Sequence, residues 1–332
     1  MRPLKIAVIG TGSVATNNYL PFLSRQEHVS LSYLSRTRAK AEACQQKFGG
    51  RVCDSPAELM ADQPDTVLIL TNEDQHYDVA CQVLEFKPKR LFLEKPLHAR
   101  LGQAQVSEND FFEARELMLR AQKQGVETAM NFNYRFFELS ARLRDVLAGR
   151  EPGRLRQATL YVNYACWSHC LDLLQHFGGA VTTVQAINGT VSYGSGRQQG
   201  PDLAAAFLLA DGATGTLLGT SGSVFKLSLY HIILNFEHAM IVIDDLDSRL
   251  ELNFDNTSYR ESYCLQPNVS RWNQYAASFE KALAAYLQSL EQNVPPPVPG
   301  QAGLAELQLE AALRRSARLQ TAVNVQKDFP MP

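Results

Sequence analysis

The sequence predicts an α/β protein of two domains, on three observations. The chain of 332 residues exceeds the usual size of one domain. In its first half, short apolar strands alternate with helices, which is the pattern of a parallel, doubly wound sheet. In its second half, apolar segments flank short turn sequences, as the strands of antiparallel hairpins do. We expect a ligand-binding cleft between the two domains.

The first predicted strand, from Lys5, runs into a glycine-rich turn with the sequence GTGSVA and then into a helix through Leu23. Gly10 permits the tight turn, Gly12 lets the backbone approach a pyrophosphate, and Ala15 keeps the helix close to the strand. The start of the helix offers N–H groups to phosphates. A glycine turn can be purely structural, but its place between strand and helix favours dinucleotide binding. The predicted contacts are Gly10, Thr11, Gly12, Ser13 and Val14.

The second predicted strand, Val29 to Leu34, ends in Ser35-Arg36-Thr37-Arg38. NAD enzymes usually carry Asp or Glu about 20 residues after the glycine turn, where it binds the ribose hydroxyls. This chain has no carboxylate there. Because guanidinium groups pair with phosphate oxygens, Ser35, Arg36 and Arg38 favour NADP(H) over NAD(H), although NAD(H) is possible. A solvated basic loop is the alternative.

Two further strands, Thr66 to Leu70 and Arg90 to Leu93, also end in polar residues. The carboxyl ends of parallel strands border the ligand cleft of a doubly wound sheet. We therefore predict cofactor contacts here, with the Lys95 ammonium near the nicotinamide ring. There it could bind a substrate hydroxyl or move a proton. The residues assigned to this edge are Thr71, Asn72, His76, Glu94 and Lys95.

The second half contains two hairpin signals, a further strand and a long helix. The turn dipeptides are Asp211-Gly212 and Glu237-His238. Apolar residues recur at helical spacing from Trp272 to Leu290, and we interpret that stripe as core. The predicted strands are Leu203 to Leu209, Gly215 to Gly219, Ile232 to Phe236, Ala239 to Ile243 and Leu250 to Phe254.

Composition narrows the function classes. Lys plus Arg total 32 against 34 Asp plus Glu, so a net charge of -2 offers no electrostatic footprint for nucleic acid or an anionic membrane. The N-terminus lacks a signal-peptide pattern and no apolar stretch approaches membrane-spanning length, so we expect a cytoplasmic protein that acts on small molecules.

The six cysteines are expected to be thiols and not disulfides. Cys166 and Cys170 flank His169, but their spacing has no second pair, and we predict no metal.

Seven segments together resemble the Gfo/Idh/MocA oxidoreductase family, which includes glucose-fructose oxidoreductase and inositol dehydrogenase. The resemblance implies a Rossmann domain over residues 1–130 and a C-terminal domain over 131–332 with a large, mainly antiparallel open sheet. It also implies a last helix at about 302–320 that packs back, and a homodimer or homotetramer formed through the sheet. The segments are GTGSVA, DSPAELM, TNEDQH, LEKPL, NYRF, SHCLD and PPVPGQAGLAELQLEAALRRSA.

The family's second catalytic element commonly reads Asp-x-Gly-x-His-x-x-Asp. Here Ala165 and Trp167 replace the first aspartate and the glycine, whereas His169 and Asp172 are kept. The resemblance implies that Lys95 polarises the reacting oxygen and that His169 is the acid/base. Asp172, three residues further along a helix, could support His169 or be structural. Arg135 and Trp167 are candidates for shaping the substrate pocket.

These residues predict an NADP(H)-preferring oxidoreductase that interconverts a secondary alcohol and a ketone on a sugar, cyclitol or related small polyol. The alternative is a catalytically silent, dinucleotide-binding sensor or regulatory protein of the same fold, because Ala165 and Trp167 depart from the family pattern. A polar connection, Arg100 to Asn109, follows LEKPL. It could be a lid, but we predict an ordinary surface loop.

Overall fold

The computed structural model describes residues 3–332, apart from the side chain of Arg197. The N-terminal sheet has six parallel strands in the order β3-β2-β1-β4-β5-β6. The strand order reverses between β1 and β4, which is where ligands bind in doubly wound sheets. The prediction of a Rossmann domain is confirmed. The strands are β1 (Leu4–Ile9), β2 (Val29–Leu34), β3 (Arg51–Val52), β4 (Thr66–Ile69), β5 (Arg90–Leu93) and β6 (Glu127–Met130).

Helices connect these strands. The first begins as a π-helical segment, Ala15–Tyr19, and continues into α1. The last of them, α5, starts within the predicted 100–109 connection, where Ser107 and Asp110 cap it reciprocally. Part of the predicted 100–109 loop is therefore helical. The helices are α1 (Leu20–Leu23), α2 (Arg38–Phe48), α3 (Pro56–Ala61), α4 (His76–Leu84) and α5 (Glu108–Lys123).

The C-terminal domain is built on a nine-stranded sheet in the order β14-β13-β12-β11-β7-β10-β9-β8-β15. Its pairings are antiparallel except for β7 with β10. Both predicted hairpins are confirmed, and Gly212 takes the positive φ of +91° that its turn requires. The strands are β7 (Leu155–Asn163), β8 (Val181–Tyr193), β9 (Gly200–Leu209), β10 (Thr214–Thr220), β11 (Tyr230–Phe236), β12 (Ala239–Asp244), β13 (Arg249–Phe254), β14 (Glu261–Cys264) and β15 (Val323–Asn324).

One face of this sheet is covered and the other is open. On β10, buried and exposed residues alternate, as they must when a single face packs on the core. Helix α6 (Glu138–Gly149) precedes the sheet and α7 (Trp167–Gly178) packs against β7. The open face carries large exposed apolar side chains. They include Tyr161, Ile187, Leu208, Leu218 and Met240.

Two long helices join the domains. Helix α8 (Arg271–Glu291) buries its apolar stripe on the N-terminal sheet, where Phe279 and Tyr286 share a core with Tyr19. Helix α9 (Gly300–Leu319) packs against α5, α7, β6 and β8, and α10 (Val325–Asp328) follows it. None of the helices within residues 3–332 combines the length and apolarity that a membrane crossing needs.

The contact between Gly219 and Trp167 yields a stability prediction. A Cβ at Gly219 would lie 2.4 Å from Cζ3 of Trp167, so we expect Gly219→Ala to lower the free energy of unfolding by about 1–3 kcal/mol through overpacking. Gly149→Ala is the control, because its added Cβ meets no atom within 4 Å. Denaturant unfolding of both variants measures the difference. Equal stability of the two would show that the Trp167 ring is not seated against β10.

Candidate active site

The carboxyl ends of β1, β2 and β4 border a cleft of about 640 Å³. Gly10 has a φ of +98°, and a Cβ there would lie 2.7 Å from the backbone carbon of Leu70, so only glycine fits. Gly12 differs, because no atom lies within 4 Å of the place a Cβ would take. The backbone at Gly12 is therefore open to a ligand from the cleft side, as the glycine pattern predicts.

Two hydroxyl groups in this cleft have no hydrogen-bond partner among the residues that the structure describes. The Oγ1 atoms of Thr11 and Thr71 are both buried and unpaired, and a buried hydroxyl without a partner costs free energy. A bound ligand with polar oxygens would supply the missing partners. The site thus combines the accessible backbone at Gly12, two unpaired hydroxyl groups and the start of a helix. Together these features fit a bound dinucleotide. Of the predicted contacts, the cleft is lined by Gly10, Thr11, Gly12, Ser35, Arg36, Thr71 and Asn72, while Ser13 and Val14 are exposed beside it.

The basic end of the cleft differs from the prediction in one residue. Arg36 lines the cleft, but Arg38 pairs with Glu42 at 2.8 Å and with Asp54. Lys40, which sequence reasoning missed, lines the cleft instead. Lys40 lies in the first turn of α2, directly after the basic segment that ends at Arg38, and this closeness in sequence was the available signal.

His76 is buried and does not line the cleft, contrary to the prediction that it contacts the cofactor. Its Nδ1 lies 2.9 Å from the carbonyl oxygen of Pro96, and its Nε2 lies 3.0 Å from that of Thr71. Burial lowers the pKa of His76, so the ring is neutral and donates to one of these carbonyls at a time. The imidazole therefore ties together the segments that follow β4 and β5.

Glu94 also has a structural position, because the protein itself satisfies both carboxylate oxygens. Oε1 accepts hydrogen bonds from the Tyr19 hydroxyl and, at 2.9 Å, from the Asn131 amide. Oε2 accepts the backbone N–H of Lys95 at 2.8 Å. The predicted cofactor contact by this side chain is replaced by a network that fixes the segment carrying Lys95.

Lys95 precedes Pro96 through a cis peptide bond, and a residue that the sequence did not single out holds its side chain. Lys95 Nζ donates to Oε1 of Gln103 at 3.2 Å, and Gln103 Nε2 donates to the carbonyl oxygen of Tyr164 at 2.6 Å. Gln103 lies in the 100–109 connection. That connection is therefore a bridge between the domains, and the prediction of an ordinary surface loop is wrong.

His169 is buried in an aromatic environment. Its ring stacks on Tyr134 with a centroid distance of 4.0 Å and meets Phe132 edge-on at 5.9 Å. Its Nδ1 is buried without a partner. Burial and, secondarily, the positive charge of Lys95 hold the pKa of His169 well below its usual value. The imidazole is therefore neutral at physiological pH.

Asp172 does not support His169, which corrects the prediction. It forms a bidentate ion pair with Arg135, whose Nε and Nη2 lie 2.8 and 2.6 Å from the carboxylate oxygens. Burial raises the pKa of Asp172 to about 6 against the opposing effect of Arg135. The carboxylate of Asp172 is therefore committed to Arg135 and is not directed at the histidine.

Trp167 was predicted to shape the substrate pocket, and the structure places it in the core. Its side chain is fully buried and meets the Tyr164 ring edge-on at 5.2 Å. The Trp167 ring, which stands where the resemblance implies a glycine, is accommodated by Gly219 on β10. The substitution therefore fills the interior of the C-terminal domain and leaves the cleft unobstructed by this side chain.

The cysteines beside His169 are poorly suited to a metal. Burial raises the pKa of Cys166 to about 11 and that of Cys170 well above its usual value, and thiols are weak ligands compared with thiolates. Within the described residues, a group with ligand spacing is His98, Asp110 and Glu113. There Arg100 binds Glu113 at 3.1 Å and Asp110 caps α5, so protein donors already occupy the carboxylates.

Comparison with known proteins agrees with this geometry. The model of GFO_IDH_MocA, described as "Oxidoreductase family, NAD-binding Rossmann fold", matches residues 4–132. No curated protein matches the chain by sequence.

Solved structures similar in fold cover nearly the whole chain at low identity. An oxidoreductase from Agrobacterium radiobacter in complex with NAD+, L-tartaric acid and magnesium is 18% identical, with coverage of 98% of this chain and 99% of that one and a TM-score of 0.80. The WlbA dehydrogenase from Bordetella pertussis with NADH and UDP-GlcNAcA is 18% identical, with coverage of 97% and 98% and a TM-score of 0.79.

A super-repressor mutant of Gal80p from Saccharomyces cerevisiae has the same fold. It is 13% identical, with coverage of 99% of this chain and 100% of that one and a TM-score of 0.81. The shared architecture thus extends over both domains, and the sequence match covers the N-terminal one. Residues 4–132 thus match the model of an oxidoreductase family with an NAD-binding Rossmann fold, and the chain as a whole shares the two-domain fold of these solved structures.

Proposed function

We propose that this protein is a cytoplasmic, NADP(H)-preferring oxidoreductase that interconverts a secondary alcohol and a ketone on a sugar, cyclitol or related small polyol. One observation carries the proposal. Lys95 stands at the edge of the sheet that forms the dinucleotide cleft, and its charge acts on the buried, neutral His169 of the other domain. A cation and a neutral imidazole at a dinucleotide cleft are suited to proton transfer coupled to hydride transfer.

The nicotinamide, when bound, supplies the chemistry of accepting or donating hydride. Lys95, held by Gln103, donates a hydrogen bond to the reacting oxygen of the substrate and polarises it. In alcohol oxidation, neutral His169 accepts the hydroxyl proton, although burial opposes its charged form. In ketone reduction the same steps run in reverse: the His169 imidazolium returns its proton to the reacting oxygen, and its low pKa makes it a strong acid for that step.

We expect Lys95→Ala and His169→Ala each to lower turnover by about 10²–10⁴-fold, the usual contribution of a positioned acid/base group. The measurement is nicotinamide absorbance over time, with each of NADP(H) and NAD(H) and with pooled sugars, cyclitols, keto-sugars and nucleotide sugars. Nucleotide sugars belong in the panel because a protein of the same fold was solved with UDP-GlcNAcA. Dinucleotide binding, followed by fluorescence, is expected to persist in both variants.

No carboxylate among the described residues orients the His169 imidazole. This observation motivates the second candidate function, that of a catalytically silent, dinucleotide-binding sensor. The aspartate that would have oriented the imidazole is replaced by Ala165, and Asp172 is bound to Arg135. Dinucleotide binding without turnover in every pool would favour this sensor over the enzyme. Turnover that survives both substitutions would instead remove Lys95 and His169 from the mechanism.

The cofactor preference generates a separate prediction. We expect Arg36→Ala and Lys40→Ala each to weaken NADPH binding by roughly tenfold and NADH binding by less than about twofold, because each variant removes a cation for the 2′-phosphate. Arg38→Ala is the matched control, since Arg38 is paired with Glu42 and Asp54. Fluorescence titration gives the dissociation constants. Equal losses for the two cofactors, or a wild-type preference for NADH, would contradict NADP(H) specificity.

We further propose that copies of the chain assemble into a homodimer or homotetramer through the open face of the C-terminal sheet. Leu218 is 47% exposed on this face, among other apolar side chains that a partner would cover. Leu218→Lys is expected to dissociate the assembly, as measured by light scattering after gel filtration. Phe86→Lys, at an exposed apolar residue of the other domain, is the control. A wild-type monomer would refute the proposal.

A further inference from the structure

An exposed apolar patch lies at the end of the C-terminal sheet from which His169 enters the candidate site. The segment 221–229 follows β10, and β10 runs parallel to β7, whose carboxyl end leads into α7 and His169. Large apolar side chains exposed together on a protein surface mark binding sites. The patch consists of three residues of this segment and one residue in the first turn of α8, namely Val224, Phe225, Leu227 and Trp272.

Hydrogen bonds to the backbone hold the segment that carries the patch in one position. Arg271 Nη1 donates to the carbonyl oxygen of Leu227 at 2.9 Å, and Nη2 of the same guanidinium donates to that of Phe225. Asn163, at the end of β7, donates through Nδ2 to the carbonyl oxygen of Ser223 at 3.2 Å. A surface that is already ordered loses little conformational freedom when a ligand binds, so this patch is suited to binding.

A series of ring contacts joins the patch to His169. The ring centroid of Phe225 lies 6.5 Å from that of Trp272, and Trp272 meets Tyr275 edge-on at 6.2 Å. Tyr275 meets Tyr134 at 6.4 Å, and Tyr134 stacks on His169 at 4.0 Å. Trp272 is therefore three ring contacts from the imidazole, and the patch is the exposed end of the aromatic environment that surrounds it.

Helix α8 also connects the patch to the other half of the site. Tyr275 packs on Phe279 with a centroid distance of 5.2 Å, and Phe279 packs on Tyr19 at 5.7 Å, in the helical segment that follows the glycine turn. The Tyr19 hydroxyl donates to Glu94, the residue before Lys95. The start of α8 thus borders both the element that carries His169 and the element that carries the reactive lysine.

We propose that the patch binds the nucleobase of a nucleoside-diphosphate sugar whose sugar ring lies at Lys95 and His169. A base has a flat π face and stacks on exposed aromatic rings such as those of Trp272 and Phe225. Lys226, in the same segment, supplies an exposed cation for the diphosphate. A single sugar or cyclitol ring is too short to span three ring contacts of 4.0 to 6.4 Å, whereas a sugar extended by two phosphates and a nucleoside is long enough. The inference rests on the proposed function, because it names the substrate class of the same site.

The test measures nucleotide binding without turnover. Isothermal titration calorimetry is performed with uridine, guanosine and adenosine diphosphates on protein saturated with NADPH or NADH, so that the dinucleotide cleft is already filled. We expect at least one diphosphate to bind and Trp272→Ala to weaken its binding about tenfold, through loss of one stacking ring. Phe225→Ala is a second variant with the same expected direction. Lys226→Gln is expected to weaken binding about threefold and to lessen its dependence on salt.

Tyr259→Ala is the matched control, with an expected change of less than twofold. Tyr259 is an exposed aromatic residue in the hairpin between β13 and β14, at the opposite end of the C-terminal sheet. Thermal unfolding checks that each variant is folded.

The proposal would be overturned if none of the three diphosphates bound, or if Trp272→Ala and Tyr259→Ala bound them equally well. A lower mass of Trp272→Ala by light scattering, with nucleotide binding unchanged, would show instead that the patch contacts a second copy of the chain. Turnover of simple sugars without nucleotide binding would refute this inference alone. Nucleotide binding that depends on Trp272, without turnover of any nucleotide sugar, would leave the patch standing as a nucleotide site and refute the proposed enzymatic function.

Discussion

The buried carboxylate of Glu94 fixes the geometry on which the rest of the candidate site depends. Its two oxygens join the helix of the glycine turn through Tyr19, the end of β6 through Asn131 and the backbone that carries Lys95. Hydrogen bonds to an ionised acceptor are the strong ones, and three donors on one buried carboxylate hold three elements in register. The glycine turn and Lys95 are thereby parts of one rigid unit.

The second domain is joined to that unit by contacts around Lys95. Gln103 connects the lysine to the Tyr164 carbonyl at the start of the segment leading to His169. Nearby, Arg135 pairs with Asp172 and Arg314 with Glu310, and His169 stays neutral because burial penalises its charged form. Low polarity makes each remaining charge act strongly on its neighbours, so the charge of Lys95 disfavours protonation of His169 across the domain boundary.

The sequence predicted those features that depend on local pattern. The glycine turn, the polar strand ends and the hairpins each require particular residue types at fixed spacing, so the fold and the position of Lys95 could be predicted. Which side chains pair with each other could not be predicted, because pairing depends on packing between segments that are distant in the sequence. Asp172 lies one helical turn from His169, yet its partner Arg135 comes from 37 residues away. Likewise, nothing local distinguishes Gln103 from an ordinary loop glutamine.

Burial moves the pKa values of acidic and basic groups near the site in opposite directions, which limits how stability varies with pH. The pKa of His176 is lowered from 6.5 to about 4, so the folded state binds fewer protons and stability falls as pH drops through that range. The pKa of Asp172 is raised from 3.8 to about 6, so the folded state binds more protons and stability falls as pH rises through that range. The two windows nearly coincide. Their effects on the free energy of unfolding therefore offset one another between about pH 4 and 6. Mild acid consequently destabilises the folded state less than the titration of His176 alone would do.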